Sequence, residues 1–296
     1  AGPITWINPF PARGGTDVFP RPLAAQVGDQ LGVQIIVDNK GGAGGTVGAS
    51  QAAKMKPDGQ TFLVGAVHHT IAPSIYKTLD YDLEKNFEPI TMIALVPQVI
   101  SINSNRLKVK TAAELIEYIK KNPGKVNYAS AGAGTAHHLA GELFKLETRT
   151  DIVHVPYRGA GPAMQDLLAG NADMMFDGMG TSAQQIKAGK LLGLAVATQK
   201  RTAEFPDMPT AAEIGVPNWI VSTWYGLWAI KGTPQPIVDR MYQEIVKALQ
   251  SPKLQAIWKE QTAQLGGETP QEFAKRIRSE IEKWQKVVDA AGVKLD

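Results

Sequence analysis

Residues 127–147 read NYASAGAGTAHHLAGELFKLE. The spacing predicts a short strand over 126–129, a turn of small residues over 130–135, and then a helix. Leu139, Leu143 and Leu146 fall on one stripe of that helix, with Ala136, Ala140 and Phe144 beside it. A strand that feeds a helix through Ser130, Ala131, Gly132, Ala133, Gly134 and Thr135 leaves the first backbone N–H groups of the helix without bulky cover. Those groups have no partner inside the helix and stand at the positive end of its dipole, so such a turn can hold a carboxylate or phosphate with no Arg or Lys. The same composition also makes an ordinary tight turn of an α/β fold.

A second stretch of this kind lies near the start. Residues 4–10 alternate as a strand, and Pro11-Ala12-Arg13-Gly14-Gly15-Thr16-Asp17 follow as a turn before a helix carrying Leu23, Val27 and Leu31. Pro20 and Pro22 fall early in that helix, so it is expected to start late or to be distorted. Two Gly-rich strand-to-helix turns, far apart in the chain, suggest two lobes closing on one anionic ligand.

The alternation continues along the chain. Strands are expected over 33–37, 61–67, 152–155, 173–176 and 192–197, with two strand pieces over 88–102 broken at Pro97. Residues 41–48, GGAGGTVG, open a helix through Ala53. His68-His69-Thr70 follow a strand at its carboxyl end, where open α/β sheets place ligands. Asp177-Gly178-Met179-Gly180 form a third loop-to-helix turn. Capping boxes stand at Thr111/Glu114, Thr210/Glu213 and Thr269/Glu272, the last with Pro270 in its first turn. Residues 219–230 form an aromatic extended piece. No Pro/Ser-rich linker divides the chain, which for two domains means that the chain crosses between them more than once.

The 296 residues suffice for two domains, and 44% hydrophobic with 20% charged residues is a globular composition. A net charge of +3 with no basic run gives no nucleic-acid footprint. No apolar window is long enough to span a membrane as a helix. The absence of Cys excludes disulfides and thiolate chemistry, and fits either the cytoplasm or the periplasm. A first residue Ala1 leading straight into a strand has the look of a mature chain after signal-peptide removal, although a trimmed chain would begin the same way.

Several chemical motifs fail. Residues 132–137, GAGTAH, miss the dinucleotide pattern at its last Gly, and the 41–48 run lacks the Gly-Lys-Ser/Thr ending of a phosphate-binding loop. Residues 48–52, GASQA, only approximate a nucleophile elbow. The pairs His68/His69 and His137/His138 cannot chelate a metal, because adjacent side chains diverge on a strand or a helix. One ring of each pair is expected to face a cleft and the other to pack, with His69 and His138 as the cleft residues. Arg13 reads either as a clamp for a ligand carboxylate or as a solvated loop residue. Asp177 reads as an orienter of its loop or as a ligand contact. Trp219, Trp224 and Trp228 read as core or hinge packing.

Taken in order, the motifs PFPARGGTD (9–17), DNKGGAGGTVGA (38–49), PDGQTFLVG (57–65), NYASAGAGTAHHLAGELF, VHVPYRGAGPAMQDLLAG (153–170), MFD (175–177), IKAGKLLGLAV (186–196), FPDMPTAAEIGVP (205–217) and WYGLWAIKGTP (224–234) resemble the tripartite tricarboxylate transporter substrate-binding proteins, the Bug-type periplasmic solute receptors. The resemblance covers nearly the whole chain. It implies an α/β two-lobed periplasmic binding protein fold, type II-like, each lobe a mixed sheet flanked by helices. Lobe 1 would hold residues 1–102 and 225–296 and lobe 2 residues 103–224, with two crossover strands as the hinge near 100–104 and 222–227. It implies a non-enzymatic, monomeric periplasmic receptor without cofactor or metal. Its ligand would be a small carboxylate, most simply an aliphatic C4–C8 or aromatic dicarboxylate. Its partners would be membrane permease subunits, with a sensor kinase ectodomain as the alternative and an enzyme acting on a carboxylate as the more distant one. Family sites map onto residues 10–17 and 130–135. These contain Phe10, Ala12, Arg13, Gly14, Thr16 and Asp17 on one side, and Ser130, Gly132, Ala133, Gly134 and Thr135 on the other. Backbone at Ala12 and Gly14, with waters, would hold one carboxylate. His69, His138, Asp177 and Gly178 complete the candidate site. Three departures bear on the ligand: His68 where the family has a small hydroxyl residue, Arg13 for a small residue, and Gly178 after Asp177.

Overall fold

The computed structural model describes residues 2–10, 12 and 17–293. Among these, ten strands join into one curled sheet whose central member belongs to two halves. The first half takes β1 (Ile4–Asn8), β2 (Ile35–Asn39) and β3 (Thr61–Ala66) in the order β2-β1-β3, all parallel. The long β4 (Phe87–Ile102) runs through both halves. The second half holds β5 (Asn127–Ser130), β6 (Val153–Pro156), β7 (Met174–Gly178) and β8 (Leu192–Val196). The chain returns through β9 (Ser222–Ile230), which lies antiparallel between β3 and β4, and a short β10 (Gln264–Leu265) edges β4.

Helices cover both faces. α1 (Pro20–Leu31), α2 (Thr46–Ala53), α3 (His68–Ile75), α8 (Gln235–Leu249), α9 (Pro252–Glu260) and α10 (Pro270–Ala291) serve the first half. α4 (Ala112–Lys121), α5 (Ala136–Thr148), α6 (Ala160–Ala169) and α7 (Met179–Lys187) serve the second. The two cores follow from strand alternation. Ile7, Leu63, Trp224 and Trp228 face one core, while Trp6, Phe62, Val64, Tyr225 and Leu227 face the other. The first of these cores continues through Trp219, Phe176, Phe144 and Tyr128 into the second half. It carries α10 with it, which packs against both α3 and α5.

β4 changes partners at one point. Residues 87–97 pair with β9, residues 98–102 pair with β7 on one side, and residues 99–102 pair with β8 on the other. Gln98 sits at the change, fully buried. Its N–H donates to Val221 O, its carbonyl accepts from Ala197 N–H, its side-chain amide donates to Phe176 O, and its side-chain oxygen accepts from Thr223 Oγ1 at 3.0 Å. Pro97 therefore does not break the strand. It stands where the ladder switches, so its missing N–H leaves no ladder bond unmade.

Other expectations are corrected. Pro20 and Pro22 do not delay α1, because both lie in its first turn, where backbone N–H groups have no helical acceptor. Residues 68–75 are helical from the end of β3 onward, with Pro73 inside. The Thr210/Glu213 box forms its bonds at 3.3 Å but opens only a run of turns, which ends at Gly215 and Pro217 before a helix can build. At the third box, Thr269 and Glu272 cap α10 reciprocally.

The β10 edge yields a sharp expectation. Gly266 N–H donates to Ile93 O, and a Cβ added at Gly266 would lie 1.8 Å from Met92 O. Gly266→Ala must push two backbones apart, and is expected to lower unfolding free energy by about 3 kcal/mol. Chemical denaturation checks this, and a midpoint equal to the parent's would contradict the close approach.

Candidate functional site

Register places the site. β3 ends at Ala66, opposite Tyr225, which lies opposite Ala94 of β4. β7 ends at Gly178, opposite Gln98. The parallel strands of both halves thus point their carboxyl ends at the stretch of β4 between Ala94 and Gln98. Four residues at about 3.3 Å each put the two sets of strand ends about 13 Å apart along β4. The N-termini of α3, α5 and α7 follow directly from these ends.

On the second-half side, β5 ends at Ser130 and α5 begins at Ala136. The turn between them needs its glycines, since Gly132 and Gly134 have φ of 140° and 81°. Thr135 caps the helix, its Oγ1 donating to Gly132 O at 2.7 Å and accepting from His138 N–H. Ser130 Oγ accepts from Gly132 N–H at 3.1 Å and meets His154 Nε2 at 2.6 Å. Gly134 N–H donates to His138 Nδ1 at 3.0 Å, and Ala131 N–H to His137 Nδ1 at 3.3 Å. The N–H groups of Gly132 and Gly134, expected as ligand donors, are therefore used within the turn. Among the described residues, the N–H groups of Ala133, Ala136 and His137 are the ones left without an acceptor.

Asp177 sits behind this turn, 1% exposed at the end of β7. Its Oδ1 accepts from His137 Nε2 at 2.9 Å, and its Oδ2 accepts from Thr181 Oγ1 at 2.5 Å and Ser182 Oγ at 2.6 Å. Burial pushes its pKa up, but the His137 bond and charge and the Ser182 and Thr181 hydroxyls outweigh it, and the net shift is downward. Asp177 thus orients the start of α7 and the ring of His137, through side chains rather than through backbone N–H groups. Because His137 Nδ1 accepts an N–H, the proton that Asp177 receives is the one on Nε2. Gly178 precedes α7 and accepts from Thr181 through its carbonyl.

On the first-half side, Phe10 is buried and held by Asn8 and Asn39: its N–H donates to Asn8 Oδ1, and its carbonyl accepts from Asn39 Nδ2. Asp17 accepts from Asn8 Nδ2 at 3.0 Å, Asn39 Nδ2 at 3.1 Å and Arg21 Nε at 2.7 Å, which ties the far end of the first Gly-rich turn to β1 and β2. Ala12 is exposed. Arg13, Gly14 and Thr16 lie outside the described residues. The Gly-rich run before α2 curls through positive φ at Gly42, Ala43, Gly44 and Gly45. A Cβ at Gly45 would meet His69 and Phe10 at 3.0 Å.

The histidine pairs are placed the other way round from the sequence reading. His69 is 1% exposed, its Nδ1 accepting from Ala66 N–H at 3.0 Å and its Nε2 donating to Gly45 O at 3.2 Å. His138 is buried and stacked on His154 with ring centroids 3.8 Å apart. His68 and His137 keep partial exposure. His68 lies 5.2 Å from the Phe10 ring, and its Nδ1 is buried without a partner. Adjacent residues at a helix start point about 100° apart, so which ring of each pair is buried turns on where the helix begins. Burial first, then the charges of His69 and His137, holds the His68 pKa at about 4, so these two rings from opposite halves sense each other. The sequence reading weighed both pairs and noted His68 as a departure, but did not single out His154, which meets Ser130, or Gln98 at the change of partners. Among the described residues no group of three His, Asp or Glu is placed to hold a metal.

Two α/β halves joined by shared strands, with helix N-termini converging on the junction, define a two-lobed solute-binding protein. Residues 19–293 match the tripartite tricarboxylate transporter family receptor, and the chain belongs to this family. BugT of Bordetella pertussis is 36% identical over all of this chain and 91% of its own length. A structure of a periplasmic transporter is 40% identical, covers 100% of this chain and 99% of its own, and superposes with a TM-score of 0.86. A Rhodopseudomonas palustris protein solved with adipate is 33% identical, covers 99% of this chain and 98% of its own, and has a TM-score of 0.86. MatC of the same organism, solved with bound malate, is 30% identical, covers 97% and 99%, and has a TM-score of 0.82. The family is one of solute receptors, and among the described residues no helix is long and apolar enough to cross a membrane.

Proposed function

We propose that this chain is a periplasmic receptor that captures a small dicarboxylate between lobes formed by residues 1–102 with 225–296 and by residues 103–224, and delivers it to the membrane subunits of a tripartite tricarboxylate-type transporter. The observation that carries this reading is the facing of free helix N-termini across the β4 junction, those of α5 on one side and α3 on the other. Each end neutralises one carboxylate by backbone N–H and dipole. With about 13 Å between strand ends and about 2.9 Å for each hydrogen bond, about 7 Å remains between carboxylate oxygens. This suits an extended dicarboxylate in the size class of malate and adipate, the molecules found in two relatives. Closure of the lobes about Gln98 would complete the site.

Unfolded and refolded protein, freed of carried ligand, provides the test by thermal shift with mono-, di- and tricarboxylates. A ligand at 100 times its Kd adds about 2.7 kcal/mol, a shift of several degrees at this size. A shift confined to dicarboxylates of one length range is expected. Equal shifts with the matching monocarboxylates would overturn the two-anchor cleft, and none with any carboxylate would overturn the ligand class.

A further inference from the structure

Four of the five histidine rings are committed within the protein. His69, His137 and His138 each accept a backbone N–H at Nδ1, and His154 Nε2 is bonded to Ser130. His68 differs. Its Nδ1 is buried and unpartnered, a costly arrangement for an imidazole unless another molecule completes it. The residue opens α3 at the carboxyl end of β3, beside its own free N–H and that of His69. Phe10 backs the ring at 5.2 Å, and Phe10 is itself fixed by Asn8 and Asn39, so the ring has a defended orientation. Across the junction His137 has both nitrogens engaged, by Ala131 N–H and Asp177, and offers the cleft no side-chain hydrogen bond. The two ends of the cleft are therefore unlike: backbone alone on the α5 side, backbone and one imidazole on the α3 side.

Resting on the dicarboxylate reading above, we propose that His68 is the specificity-determining side chain of this site, its Nδ1–H donating to the carboxylate held at the start of α3. The bond adds direction to an end that dipole attraction alone would leave loosely oriented.

Calorimetric titration at pH 7.5 with malate and with adipate, on the parent chain, His68→Ala and His68→Asn, tests this. Asn places an amide nitrogen near the position of Nδ1. His68→Ala is expected to weaken the better of the two probes about tenfold, the scale of one charge-assisted hydrogen bond, while His68→Asn stays within about threefold of the parent. In the parent chain labelled with 15N, saturation with that probe should bring up an imidazole Nδ1–H signal that His68→Ala lacks. A His68→Ala affinity equal to the parent's, with only a lowered Tm, would reduce the ring to packing against Phe10 and overturn the proposal. If His68→Ala does not fold, weakened binding by His68→Asn together with no Nδ1–H signal in the parent complex overturns it equally. A parent chain that binds neither probe, nor any other dicarboxylate, overturns the dicarboxylate reading itself and this inference with it.

Discussion

Lowering the pH from 7 to 4.5 is expected to remove a large part of the stability of this protein. His68, His69, His138 and His154 all have pKa values held at about 4, with burial as the first cause for each. In the unfolded chain these rings titrate near 6.5. Between the two values the unfolded state binds protons that the folded state refuses, so stability is full above pH 6.5 and falls as pH drops toward 4. For His69, 1% exposed and with both nitrogens engaged, the loss is on the order of 3 kcal/mol. Through this ring alone the Tm should fall by roughly 6 °C. The carboxylates with lowered pKa, Asp177 and Glu213 among them, act mainly below this window, so the imidazoles dominate it. Circular dichroism melts across the range check the expectation, and a Tm flat to within 2 °C (roughly 1 kcal/mol) would contradict it. His69→Asn, which keeps an acceptor for Ala66 N–H, should start less stable at pH 7 and show a shallower pH slope.

Asp177→Ala should be the most damaging single change at the site. It strands the His137 Nε2–H and the Thr181 and Ser182 hydroxyls. Ser182 keeps only the bond it accepts from Ser101 Oγ and Thr181 keeps Gly178 O as an acceptor, whereas among the described residues the His137 Nε2–H has no second acceptor. The expected cost is about 4 kcal/mol, weighted toward the histidine. Carboxylate affinity should fall about tenfold, the lower end of what supporting groups contribute in preorganised sites, because His137 pins the Ala131 end of the α5 turn. His137→Ala added to Asp177→Ala should cost less than it does alone, with a coupling of at least about 1 kcal/mol. Strict additivity would show that the two side chains do not act together.

How much of this was legible in the sequence varies with the range of the interaction. The β5–α5 unit was legible because small residues and an apolar stripe are local signals, although Leu146 of that stripe is exposed, and the same holds for the box that opens α10. β4 was read as two pieces because Pro97 breaks a strand under local rules, and only its change of partners makes it harmless. The β3–β9 pairing had no local trace, since its partners lie about 160 residues apart. At the site, the strand-turn-helix form of residues 127–148 was legible from local composition. Which N–H groups its turn leaves open was not, because His137 and His138 fold back onto Ala131 and Gly134. The inward and outward members of each His pair depend on where a helix begins to within one residue, the kind of boundary that pattern reading sets least well.

The place of β9 between β3 and β4 also sets a timetable for the growing chain. Phe62 has its partner in Ala229. At about 5–20 residues per second, that partner is synthesised roughly 10–30 s after Phe62 itself. Until then the centre of the first sheet is an open apolar edge, whereas the strands of the second half pair only with one another and with residues 98–102 of β4, all made earlier. The half that begins first is therefore the half that finishes last, and β3 and most of β4 wait with unpaired edges through the synthesis of everything between them and β9.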